Sequence, residues 1–358
     1  MNYNVLEIGK RNLTKLLLSE YFVLVLSVVY FFIIAAIVPT MTDIANIGNI
    51  FSNMWPLFTI AVGQTFVLLL GGIDLSQTSV LAVTSVIGAV FMTHSANPNV
   101  LGKSPLWGWF LTEAGGPFGA YPEILTAVLG IIIMLVVGIF IGTINGVFIA
   151  KLKMPPFMVT LISQTFFSAL AILITKSQNV MGLPDAFTEI GFGQIAFIPY
   201  SFFIAVVLAT GAHFLLSRTI RGRWIYSSGV NARAAKISGV PVDNTTIFVY
   251  AFSGFCAAIG AILYSGRLMA GRPTLGANML MDIMGATIIG GTSLYGGKGK
   301  ITWTLYGVLF YTIMATSLNQ LKLDAFTINV VKGLIILAAG TMDIMRTRIQ
   351  RFTTIVSR

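Results

Sequence analysis

Residues 123–150 read EILTAVLGIIIMLVVGIFIGTINGVFIA, and the only formal charge in the stretch is Glu123 at its start. A membrane-spanning helix needs about 20 consecutive, mostly apolar residues. This run therefore crosses a bilayer with length to spare, its first turn falling outside the hydrocarbon. Gly138, Gly142 and Gly146 recur every four residues along it, a small-residue stripe that lets a neighbouring helix pack closely. Working outward, nine further apolar runs appear at 20–38, 56–72, 76–93, 156–175, 198–216, 245–266, 279–292, 301–318 and 326–342. The run at 279–292 is short and flanked by glycine, so a tilted or partial crossing is expected there. Segment 43–54 is amphipathic and is expected to lie at the membrane interface. The first run follows Lys10, Arg11 and Lys15 as a signal peptide would, but its length and the absence of a small-residue cleavage site favour a retained span.

The composition agrees. The 358 residues are 56% hydrophobic and 9% charged, with a mean hydropathy of +0.87. A soluble domain carries roughly 25% charged residues, so lipid must be the solvent for much of this surface. The chain reads as an all-α polytopic membrane protein of about ten transmembrane helices, one transmembrane domain over 1–358.

The net charge of +10 does not mark a nucleic-acid binder, because the basic residues sit in short segments between apolar runs. With the N-terminus inside, segments 10–15, 151–153, 218–236, 298–300 and 346–358 hold 16 of the 22 basic residues, the outer segments hold 5, and Lys332 lies within the last span. That bias places both termini in the cytoplasm, with 1–19 and 344–358 as cytoplasmic ends and 218–244 as a cytoplasmic loop. The outer segments 94–122 and 176–197 are rich in Gly, Pro, Asn and aromatic residues; an external partner and simple loop decoration explain them equally well.

Catalytic signals do not surface. Cys256 is the only cysteine and reads as a small buried apolar residue; the two histidines, His94 and His213, are far apart. No metal site and no cofactor is expected. The stretch GGTSLYGGKGKIT at 290–302 is glycine-rich, yet no phosphate-loop register fits it. An enzyme is not indicated, and any ATP hydrolysis must come from a partner.

A few polar residues lie within or beside the spans. Asp74 is a functional candidate by default, but it also begins a span, where a carboxylate caps a helix and complements its dipole; capping is the plainer reading, gating the sharper one. Asp282 has the same two readings. Lys332, too deep to snorkel, calls for an internal polar contact. Gln64, Asn145, Gln164 and Asn319 are neutral groups of the kind that line a passage for a polyol, although interhelical packing explains each one singly.

The segment 218–244 reads RTIRGRWIYSSGVNARAAKISGVPVDN. Asn231 is a good N-cap, Ala232 to Ser238 allow about two helical turns, and Gly239 followed by Pro241 stops them. Such a short basic helix at the membrane face is a surface another protein can push, or a plain connector.

Here a resemblance enters. GVNARAAKISGV at 229–240 resembles the docking loop of permeases in the ribose/xylose/galactose ABC importer family. GGIDLS at 71–76, MPPFMVTL at 154–161 and MDIMGATIIGGTSLYGGKGK at 281–300 are similar to three further family segments, in order along the chain. Gln77 and Thr78 stand where the family often has Val-Gly. The resemblance implies a type II ABC importer-like permease of the bacterial inner membrane that forms the path for a sugar or sugar-like molecule. It implies three partners: an ABC ATPase subunit with two nucleotide-binding domains, a second permease chain (identical or related), and a soluble substrate-binding protein. It assigns ATPase coupling to Gly229, Asn231, Ala234, Ala235, Ser238 and Gly239. The alternative is an ion-gradient-driven secondary transporter, which predicts inverted repeats and matched intramembrane acids; Asp74 has no evident counterpart in the second half.

Overall fold

The computed structural model describes residues 19–356, with side chains as far as Thr341. Nearly all of the expected N-terminal segment 1–19, and the side chains of the expected tail 344–358, lie outside the described residues. In chain order the helices are α1 (Phe22–Ile37), α2 (Ile44–Leu69), α3 (Gln77–Met92), α4 (Pro98–Leu101), α5 (Glu123–Lys151), α6 (Pro156–Thr175), α7 (Asp185–Phe192), α8 (Tyr200–Arg218), α9 (Ile220–Val230), α10 (Ala232–Ile237), α11 (Val242–Leu268), α12 (Leu280–Gly290), α13 (Ile301–Gln320) and α14 (Ala325–Val356). A two-residue antiparallel pair, β1 (Gln194–Ile195) with β2 (Ile198–Pro199), is a small exception to the all-α reading.

Each of the ten apolar runs falls on a helix. Five of these helices, α5, α6, α8, α11 and α13, are long and apolar enough to cross a membrane by length and composition alone. Two boundaries differ from expectation. Segment 43–54 is not a separate interfacial piece: α2 runs unbroken from Ile44 through Pro56 to Leu69. Proline forfeits one backbone donor, a loss that membrane helices tolerate when neighbours satisfy the freed group. The run at 279–292 yields only the 11 residues of α12. At 1.5 Å per residue that is about 16 Å, roughly half the hydrocarbon core.

The middle of the bundle is α11, held between α2 and α5. On the α5 side the glycine stripe does the packing. A Cβ on Gly142 would overlap the Tyr250 carbonyl, one on Gly138 the Gly254 carbonyl, and one on Gly146 would come within 2.7 Å of the Ile247 Cα. On the α2 side Phe66 and Phe252 pack with tilted rings, centres 4.4 Å apart, and Gly260 admits the Ile60 side chain. Hydroxyls pair across helices: Thr65 with Thr304 at 2.6 Å and Ser85 with Ser265 at 2.7 Å, both buried, and the part-buried Tyr30 with Ser317 at 2.8 Å. In lipid such polar pairs and close backbone contacts replace the hydrophobic effect as the force between helices. Because α2 and α11 run antiparallel, Leu69 and Val242 lie toward one end of the bundle, and Asn53 and Arg267 toward the other.

Candidate functional site

Four segments distant in sequence meet at the Leu69/Val242 end. α9 begins under Thr219, whose Oγ1 accepts from the Gly222 amide at 3.2 Å. It ends at Asn231, whose side chain accepts from the Ala234 amide at 2.9 Å and so caps α10. Gly239 then turns the chain with φ +81°, a left-handed conformation glycine adopts without Cβ strain; Pro241 precedes α11.

The far side of α9 is knitted into the bundle. Gly229 lies so close to the Leu69 carbonyl that a Cβ would overlap it. That same carbonyl accepts from the Gly297 amide at 2.9 Å, and Tyr226 Oη donates to the Gly299 carbonyl at 2.7 Å. Burial raises the Tyr226 hydroxyl pKa above its ordinary value, so it serves as a donor throughout the physiological range. The loop after α12 threads between GGIDLS and α9 because Gly296 and Gly297 take φ of +84° and +70°. Thr160, from the fourth segment, donates to the Ile73 carbonyl at 3.2 Å.

The six residues assigned to coupling therefore divide in three. Gly229 and Ala235 face inward as packing contacts, Asn231 caps, and Ala234, Ser238 and Gly239 are exposed. The sequence reading passed over two residues that share this surface. Val230 is 75% exposed and Ile237 83% exposed, flanking the basic Arg233 and Lys236. Their signal was faint, two aliphatic residues in a segment otherwise polar, basic or small.

Behind this end sits the Asp74 network. Asp74 Oδ1 accepts from the Ser76 amide at 2.9 Å and the Ser76 hydroxyl at 2.5 Å, which shapes the turn into α3. Oδ2 accepts from Ser253 on α11 at 2.7 Å. Asn145 Nδ2 donates to Ser76 Oγ at 2.9 Å, and Gln77 Nε2 to Ser253 Oγ at 2.8 Å. Asp74 thus fixes the turn before α3 without capping that helix, whose N-cap is Ser76, and ties the turn to α11.

Asp282 lies elsewhere, on the short α12. Its Oδ1 accepts from Tyr311 Oη at 2.6 Å and from Lys332 Nζ at 2.7 Å. Lys332 thereby has the internal contact its depth called for. Gln64 reaches the same helix through Met284, Nε2 to Sδ at 3.0 Å. The six path candidates do not gather at one place: Asp74 and Asn145 share one network, Gln64 and Asp282 both bear on α12, Gln164 is half-buried, and Asn319 is exposed. Among the described residues no three His, Cys, Asp or Glu side chains come together as a metal site.

Comparison with known proteins gives this geometry a context. Residues 46–340 match the family described as branched-chain amino acid transport system / permease component. The chain is similar to the ribose import permease protein RbsC of Bacillus subtilis, 34% identical over 87% of this chain and 88% of that one. It is similar to the Haemophilus influenzae protein of the same name, 31% identical with the same coverage. With the L-arabinose transport system permease protein AraH of Escherichia coli it shares 28% identity over 93% of both. No solved structure matches the chain. The family match covers every segment that meets around Leu69 and runs through nearly all of the bundle: the chain belongs to the branched-chain amino acid transport system / permease component family.

Proposed function

We propose that the chain is the membrane-spanning subunit of an ATP-driven, binding-protein-dependent importer in the bacterial inner membrane, passing a sugar or sugar-like molecule. The observation that carries it is the convergence on Leu69. The end of α9 at Gly229, which leads through Asn231 into the exposed α10, meets the glycine loop 291–300 and GGIDLS there through backbone contacts that leave no room for side chains. A push on α10 reaches α2 and α3 without passing through a flexible linker.

The end of α9 and α10 together present Val230 and Ile237 within a basic frame, a fit for a groove on an ATPase subunit bearing two nucleotide-binding domains. The end with α10 is the cytoplasmic one, as the basic residues of 218–236 and 298–300 require. A second permease chain, identical or related, completes the path, and a soluble binding protein delivers substrate at the opposite face. The permease itself does no chemistry; hydrolysis in the partner drives the switch, and it can do so only if the two states of the path differ in free energy of interaction with the partner. Relatives named for ribose and arabinose import favour a polyol over an amino acid, and the neutral polar groups scattered through the spans suit hydroxyl recognition.

The test is purification of the tagged chain in mild detergent with mass identification of its partners. An ATPase should co-purify, and Val230→Asp with Ile237→Asp should release it while the permease stays folded. A stable permease without any ATPase, whose uptake runs on an ion gradient, would overturn the importer in favour of a secondary transporter.

A further inference from the structure

The end of the bundle opposite α10 holds a groove of about 640 Å³ between the first turns of α2, the β1–β2 turn and the last turn of α11. We propose that it is a binding site for a neutral polyhydroxylated ligand of sugar size, the first station of the path on the delivery side. The proposal rests on the importer reading above and gives its substrate a place.

Position comes first. Arg267 stands 25 residues along α11 from Val242, about 37 Å of helix at 1.5 Å per residue. The groove is therefore a full membrane thickness away from the coupling surface, where an incoming ligand arrives. Its volume lies within the roughly 300–1,000 Å³ of small-molecule sites.

The lining is chemically selective. Asn49 and Ser52 from α2, Gln194 from β1 and Arg267 from α11 supply donors and acceptors from three separate elements, and no carboxylate is among the lining residues. Amides and hydroxyls both give and accept hydrogen bonds, which matches a ring of hydroxyl groups. A guanidinium adds a fixed fork of donors. Its direction is set: Arg267 Nη1 donates to Asn53 Oδ1 at 2.7 Å. Behind it α7 closes the wall, because Gly191 lies against the Gly266–Arg267 backbone too tightly for any side chain.

Aromatic surface completes the site. Phe192 is 47% exposed and Phe197 88% exposed, both along the groove, while Phe51 forms its floor and is braced by Trp55 at 5.2 Å between ring centres. The C–H face of a sugar stacks on such rings while its hydroxyls turn to Asn49, Ser52 and Gln194. A lipid phosphate would call for more than the single cation present.

The experiment uses full-length permease in nanodiscs, without binding protein, and saturation-transfer NMR with D-ribose, L-arabinose, D-xylose and D-galactose at high millimolar concentration. At least one sugar should give a signal. That signal should weaken about tenfold in apparent affinity in Phe192→Ala and in Gln194→Ala, the loss expected for one stacking or hydrogen-bonding partner. Both residues line the rim, and unchanged thermal melting of the variants shows that they remain folded. No signal with any of the four sugars, or equal signals in wild type and variants, overturns the proposal. So does loss of binding-protein docking in the variants when wild type shows no sugar signal, which would make the groove a protein-docking surface. ATPase co-purification is unaffected by these variants, so the groove can fail while the importer stands, and the reverse.

Discussion

Asp74 and Asp282 look alike in the sequence, each an acid at the edge of an apolar run, but the protein treats them in opposite ways. Around Asp74 every partner is neutral: two hydroxyls and one backbone amide satisfy the carboxylate, and they belong to its own turn and to α11. Asp282 instead recruits a cation from 50 residues away, Lys332 of α14, with Tyr311 on the same oxygen. One acid is satisfied by neutral donors, two from its own turn and one from α11, the other by docking a charged helix. The first region should therefore resist the loss of any single partner better than the second.

The largest effect is expected at Lys332. Lys332→Met leaves the part-buried Asp282 without its cation, and since breaking a fully buried pair from one side costs about 3 kcal/mol or more, about 2–3 kcal/mol is expected here. The loss should appear as a lowered thermal midpoint in detergent. Adding Asp282→Asn to that variant should restore most of it, because the uncompensated charge is gone. Equal instability of single and double variants would mean that Lys332 acts by packing alone.

Asp74 should respond in steps. Asp74→Ala strands three donors and costs about 2 kcal/mol, whereas Asp74→Asn keeps an acceptor and costs about 1 kcal/mol. Ser253→Ala removes the single tie to α11 and should also cost about 1 kcal/mol. If Asp74→Asn proves as damaging as the loss of Lys332, the carboxylate's charge is essential and the contrast between the two regions collapses.

How each region could be read ahead of the structure follows from the range of its contacts. The turn at 71–77, the Asn231 cap and the Gly239 stop are bonds within a few residues, and the pattern of residue types carries them. The glycine stripe of α5 was also legible as a packing face, since periodicity survives in sequence even where the partner helix does not. The Asp282–Lys332 pair was not: each residue stood out alone, and only the fold sets α12 beside α14. Continuity of α2 through Pro56 was missed for a related reason, because proline is a stop in water and tolerable where neighbouring helices satisfy the backbone. The meeting of four segments at Leu69 was likewise invisible, since glycines record that something comes close but not what.

A third carboxylate completes the series at its weak end. Asp243, in the first turn of α11, pairs with Lys153 at 2.6 Å on the water side of the bundle, with both side chains partly exposed. The hydrogen bond from Lys153 holds its carboxyl below the ordinary value of 3.8, against a smaller opposing effect of burial. A depressed carboxyl contributes stability above its unfolded-state pKa and loses it as pH falls through the folded-state value. Exposed pairs of this kind are worth about 0.5 kcal/mol and are screened by salt. Asp243→Asn should therefore lower the thermal midpoint slightly at neutral pH and low salt. The gap between variant and wild type should shrink below the ordinary carboxylate range and also in molar salt. A gap that persists in acid would show that Asp243 acts through the shape of the α11 start rather than its charge, placing it with Asp74 and not with Asp282.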